Sequence, residues 1–87
     1  MTTTPGEQLT ARQRQVLIYV ARGLTNRQIA ASLYTSIRSI ERDLTKACEV
    51  FGATNRVHAA VLAYHHRVVR YEHLHAGRER RTRPAAR

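Results

Sequence analysis

The sequence predicts an all-α fold of four helices, and three observations carry that reading. Apolar residues recur at helical steps of three and four in four successive stretches, and capping residues and glycines punctuate those stretches. No segment shows the period-two alternation of a strand. At 87 residues the chain has room for one domain, and such a domain buries roughly 60% of the surface its unfolded form exposes. Residues 1–8 read as a disordered lead-in, 9–74 as the domain, and 75–87 as a flexible Arg-rich tail.

Each helix has local reasons. Thr10 can cap a first helix over about Ala11 to Arg22, in which Val16, Leu17, Val20 and Ala21 share one side and Gly23 follows as a left-handed stop. Thr25 with Gln28 three residues on has the form of a capping box, and it opens a second helix over about Asn26 to Leu33 with Ile29, Ala30 and Leu33 as its apolar positions. After the short turn Tyr34-Thr35, Ser36 is set to cap a third helix, about Ile37 to Phe51. Its stripe is Ile40, Leu44, Ala47 and Phe51, and Gly52 closes it. The fourth helix begins near Asn55, repeats Val57, Val61, Tyr64, Val68 and Tyr71, and meets no Gly or Pro until Gly77, so it is expected to be long.

Charge narrows the function. Fifteen Lys and Arg against six Asp and Glu give a formal charge of +9 and a pI near 11.3, a balance that points to a polyanionic partner. All but one of the cations are arginines, and Arg78, Arg80, Arg81, Arg83 and Arg87 crowd the tail, where they could follow a phosphate backbone without reading sequence. No apolar run is long enough to span a membrane and no signal peptide is visible, so the expected location is cytoplasmic, on the nucleoid. The single Cys48 has no partner for an internal disulfide and sits where a small residue packs. His58, His65, His66, His73 and His75 contain no pair at a step of three or four, so no metal site is expected. No phosphate loop, paired carboxylates or nucleophile motif appears; neither an enzyme nor a cofactor is expected.

Two short helices joined by a tight turn, the second with a polar face opposite its apolar stripe, have helix-turn-helix geometry. That face carries Arg38, Ser39, Glu41, Arg42, Thr45 and Lys46, whose donors and acceptors suit phosphate oxygens and base edges in a groove wide enough for one helix. The wording of the chain adds to this. Leu9-Thr10-Ala11-Arg12-Gln13-Arg14-Gln15-Val16-Leu17 and Gly23-Leu24-Thr25-Asn26-Arg27-Gln28-Ile29-Ala30 resemble the opening of LuxR-type domains. Ser36 with Arg38-Ser39-Ile40 is similar to that family's Ser, x, Lys-Thr-Val, and Phe51-Gly52-Ala53 with Arg56 to its Leu-Gly-Val and following Arg. The chain thus resembles the LuxR/FixJ (GerE-like) family over about Leu9 to Val69.

The resemblance implies a four-helix LuxR-type helix-turn-helix domain whose third helix enters the major groove of double-stranded DNA. Carried over, Glu41, Arg42 and Thr45 would face bases, and Arg38, Ser39, Lys46 and Asn26 would touch the backbone or groove edge. The fourth helix is often the dimer contact, so Val57, Val61, Leu62, Tyr64 and Val68 are candidates for a homodimer face; the alternative is that both its apolar rows, Leu62 and Val69 included, bury against helices one and three. Departures from the family's pattern are Asp43 for its His, Val50 for its Lys, Gln13 and Gln15 for two Glu, and Ala11 for Pro. Asp43 could pair with a nearby Arg or repel phosphate. The chain length suggests a free-standing sequence-specific transcription regulator, acting by contact with RNA polymerase or by occlusion. Two other readings stay open: a protein-interaction adaptor resembling the polymerase-contacting region of sigma factors, and a non-specific DNA-binding accessory protein.

Overall fold

The computed structural model describes residues 5–74, and four α-helices dominate it: α1 (Ala11–Ala21), α2 (Asn26–Ser32), α3 (Ile37–Phe51) and α4 (Arg56–His65). Among the described residues there is no strand, as the sequence predicts. Each helix starts on the residue its side-chain chemistry marks. Thr10 Oγ1 accepts from the Gln13 amide while Gln13 Oε1 accepts from the Thr10 amide, both at 3.0 Å. Thr25 and Gln28 repeat this reciprocal box at 2.8 and 3.1 Å, and Ser36 and Asn55 accept from Ser39 and His58 amides. These acceptors satisfy amides that the first helical turn leaves without partners. Gly52 closes α3 at φ 65°, with the Ala53 amide reaching back to the Cys48 carbonyl at 2.9 Å.

α1 packs against α3 and α4, and α2 packs on α3. The buried set is Leu9, Val16, Leu17, Ile29, Ala30, Ile40, Leu44, Ala47, Ala59, Ala63, Val68 and Val69. The stripes read for helices one to three supply most of it, with Val20, Ala21, Leu33 and Phe51 partly buried against it.

The fourth helix differs from expectation in length and in face. It ends at His65 rather than continuing toward Gly77: Arg67 takes a left-handed φ of 66°, and the Val68 and Val69 amides both donate to the Ala63 carbonyl. A further helical turn covers 71–74. The physical reason lies in the burial. At about 100° per residue, an uninterrupted helix would carry Val68 about 180° away from Ala59, onto the outer side. Leaving the helix at Arg67 instead turns Val68 and Val69 into the core, at 8% and 1% exposure. The inward face of α4 is then Ala59 and Ala63, whose small side chains let it lie close to its neighbours.

The lead-in also differs. Pro5–Gln8 forms a 3-10 turn in which Gly6 is buried, and the Arg14 guanidinium donates to the Gly6 carbonyl at 2.8 Å. A Cβ on Gly6 would come within 2.8 Å of the Val68 Cγ2, so glycine is what lets this turn seat against the core. The Arg-rich tail, 75–87, lies outside the described residues, as do residues 1–4. Among the described residues no helix is long and apolar enough to cross a membrane.

Candidate nucleic-acid interface

α2 is seven residues long and stops at Leu33, and the chain turns through Tyr34 and Thr35 to the Ser36 cap of α3. The Thr35 amide donates to the Ala30 carbonyl at 2.9 Å, which ties the turn to the end of α2. Tyr34 stands in the left-handed region at φ 55°, a backbone state that costs a side-chain-bearing residue about 1–2 kcal/mol. This short helix, tight turn and long helix make a helix-turn-helix.

Ile40, Leu44 and Ala47 anchor α3 inward, so the residues between them are turned outward by the helical period. Arg38, Glu41, Arg42, Thr45 and Lys46 are all exposed on that outer side, and Ser39 is half-buried at its first turn. Thr45 Oγ1 donates to the Glu41 carbonyl at 3.0 Å, which stations its hydroxyl close to the helix axis. Lys46 lies 3.9 Å from Glu49 in an exposed pair that holds neither side chain firmly. Arg38 and Arg42, with Arg27 on α2, form no ion pair among the described residues, and their guanidinium donors face solvent.

Asp43 does not join this outward set. Its side chain is 20% exposed and its Oδ2 lies 2.9 Å from Arg12 Nε of α1, while Arg12 Nη2 donates to Thr35 Oγ1 at 3.1 Å. Oδ2 is buried and has no hydrogen-bond partner, so the contact is one of charge with charge rather than an aligned bond. Of the two expectations for Asp43, pairing with a nearby Arg is what the structure holds: the acid is turned toward α1 and faces Arg12 there. One guanidinium thereby braces both α3 and the turn before it.

Asn26, the remaining candidate, is half-buried at the start of α2, and its Oδ1 accepts from Arg56 Nη1 at 2.6 Å; Arg56 Nη2 donates to the Leu24 carbonyl at 3.1 Å. Its amide nitrogen is left as the donor it can offer outward. The structural roles of Arg12 and Arg56 carry no local sequence signal, since each partner lies on a different element. Tyr34 and Arg27 were also outside the predicted set, although Tyr34 sits where the turn calls for glycine.

The proposed dimer residues separate. Val57, Val61 and Tyr64 stand out on α4 at 67%, 59% and 47% exposure, and Leu62 is half-buried. Val68 is in the core and has no surface to give a partner, which corrects its assignment to that face. An open, largely apolar groove of about 700 Å³ runs past Val57, Val61 and Tyr64 to Val20, Leu24 and Leu74.

A capped four-helix domain with a solvent-facing polar helix after a tight turn defines the class: a helix-turn-helix domain of the kind that presents one helix to a groove. The GerE profile, described as "Bacterial regulatory proteins, luxR family", matches residues 7–63, and the chain belongs to that family. It is 34% identical to the "Transcriptional activator protein BjaR1" of Bradyrhizobium diazoefficiens over 78% of this chain and 28% of that protein. It is 38% identical to the "Transcriptional repressor ThaA" of Burkholderia thailandensis, over 70% and 26%, and 39% identical to the "Probable transcriptional regulatory protein SgaR" of Hyphomicrobium methylovorum, over 79% and 32%. The chain spans under a third of the length of each of these relatives. No solved structure matches it.

Proposed function

We propose that this chain binds double-stranded DNA as a sequence-specific transcription regulator, with α3 in the major groove. The observation that carries the reading is the outer side of α3: Arg38, Glu41, Arg42, Thr45 and Lys46 are exposed together while Asp43 is withdrawn onto Arg12. Arginine presents a fork suited to guanine O6 and N7, and a carboxylate such as Glu41 can accept from cytosine N4. Arg38, Ser39, Lys46 and Asn26 serve the backbone and groove edge, which fixes register. The names of the relatives include both an activator and a repressor; an activator would add a contact with RNA polymerase, and a repressor needs only occlusion.

The protein acts as a homodimer, its α4 rows of Val57, Val61 and Tyr64 meeting across a two-fold axis with Leu62 at the margin. Three large apolar side chains bared on one helix support this, since a lone domain gains nothing from exposing them together. Selection from a random duplex pool, then titration of the winner and a scrambled control at about 150 mM salt, tests the reading. An enriched inverted repeat that binds far better than the control is expected, and Arg42→Ala should weaken it by about 1–3 kcal/mol while sparing the control. No enrichment overturns sequence-specific recognition, and a monomeric mass by light scattering, with and without DNA, overturns the dimer.

A further inference from the structure

Tyr34 combines two features that the fold does not require of a tyrosine. It holds a left-handed φ of 55° in a turn where glycine would sit without steric cost, and its side chain is 96% exposed, with no hydrogen-bond partner or ring contact among the described residues. A strained, bare aromatic of this kind is a sign of use when it sits beside a binding surface. Tyr34 does: Thr35, the Ser36 cap and Ile37 follow it, and Arg38 on the outer side of α3 comes directly after.

We infer that Tyr34 is a DNA-contacting residue whose hydroxyl donates to a backbone phosphate at the edge of the groove that α3 enters, an inference that rests on the DNA-binding reading above. A recognition helix offers its N-terminal residues to the bases, so the turn feeding that end runs beside the groove wall, where the phosphates are. Tyrosine is among the side chains that donate to phosphate oxygens, and its ring carries the hydroxyl outward on only two rotatable bonds, so little freedom is lost on binding. The exposed guanidiniums of Arg27, Arg38 and Arg42 supply the long-range attraction, and Tyr34, being neutral, supplies position. Its contact therefore adds affinity for any duplex and releases no counterion.

The test uses the full chain with Tyr34→Gly and Tyr34→Phe, titrated on the selected duplex and on a scrambled one across a salt series. Tyr34→Gly should melt no lower than wild type, because strain is removed, yet bind both duplexes about tenfold more weakly, the loss of about one contact. Tyr34→Phe should keep the wild-type melting temperature and show most of the same loss, and neither variant should change the slope of log affinity against log salt. Wild-type affinity in Tyr34→Gly would show that the side chain does not meet DNA. Full affinity in Tyr34→Phe would remove the hydroxyl contact, and a loss confined to the selected duplex would make Tyr34 a base reader; each overturns the phosphate assignment. A wild type that binds neither duplex overturns the DNA-binding reading itself, and is seen before any variant is compared.

Discussion

Arg56 is the side chain on which the seat of the helix-turn-helix depends, and its replacement has a size that can be worked out. From the first turn of α4 it donates to Asn26 Oδ1 at 2.6 Å and to the Leu24 carbonyl at 3.1 Å, joining the start of α2 and the loop before it to the last helix. A hydrogen bond from a charged donor is worth about 1.5–3 kcal/mol, and the half-buried setting leaves water some access to the freed acceptors. Arg56→Ala should therefore destabilise the domain by about 2–3 kcal/mol. At the roughly 4–8 °C per kcal/mol usual for a domain of this size, that lowers the melting temperature by about 10–20 °C. Thermal and urea unfolding followed by circular dichroism, with Arg56→Lys as a second variant, measure it. Lysine keeps the charge but cannot hold both acceptors with one planar fork, so it should recover less than half of the loss. A change below about 0.5 kcal/mol for Arg56→Ala would refute the argument, because the two bonds would then be no better than those the side chain makes with water.

Asp43→Asn should leave stability within about 1 kcal/mol, since Arg12 is 42% exposed and its pairing is screened, but it should free that guanidinium and steepen the dependence of log affinity on log salt by about one; an unchanged slope would mean that the ion pair has no bearing on DNA. Gly6→Ala forces a methyl to within 2.8 Å of Val68 Cγ2, and Val68 is a β-branched core residue with little freedom to yield, so a loss of about 1–2 kcal/mol in urea unfolding is expected. Burial pushes the Cys48 thiol above its ordinary pKa, so less thiolate is present at any given pH: alkylation at pH about 8, below a typical thiol pKa of about 8.5, should run slower than that of an unstructured cysteine peptide and gain on it as pH rises. Equal rates would show the thiol to be open to water.

What could be read from the sequence was whatever is decided within a few residues. Thr10 with Gln13, Thr25 with Gln28, Ser36 and Gly52 each act on amides or carbonyls one turn away, and α1, α2 and α3 accordingly begin where their caps predict and end within a residue of expectation. The end of α4 could not be read this way. Its break falls on Arg67, a residue with no preference for the left-handed region, and is held there because it brings Val68 and Val69 into the core. The periodic stripe Val57, Val61, Tyr64 could not by itself say whether it faced the core or a partner: the core takes the alanine side of the helix, where close approach matters more than side-chain size, and leaves the stripe exposed. In the candidate site, the outward residues of α3 followed from the helical period alone, whereas the withdrawal of Asp43 depends on Arg12 from another helix, and no local pattern reveals such a pairing.

The same distinction bears on what a net charge of +9 means. Composition points to a polyanion but does not say which cations meet it, and the structure divides them by work. Arg12 is held by Asp43 and Thr35, Arg14 by the Gly6 carbonyl, and Arg56 by Asn26 and Leu24, so these three tie elements together. Arg27, Arg38 and Arg42 have no such ties among the described residues. Alanine at the first group should therefore lower the unfolding free energy ahead of any change in DNA affinity. At the second group it should leave unfolding within about 0.5 kcal/mol, as surface substitutions do, and reduce affinity, with the salt slope falling where a phosphate contact is lost. If both groups moved stability and affinity together, the arginines would form one undivided surface, and the division drawn from their partners would be wrong.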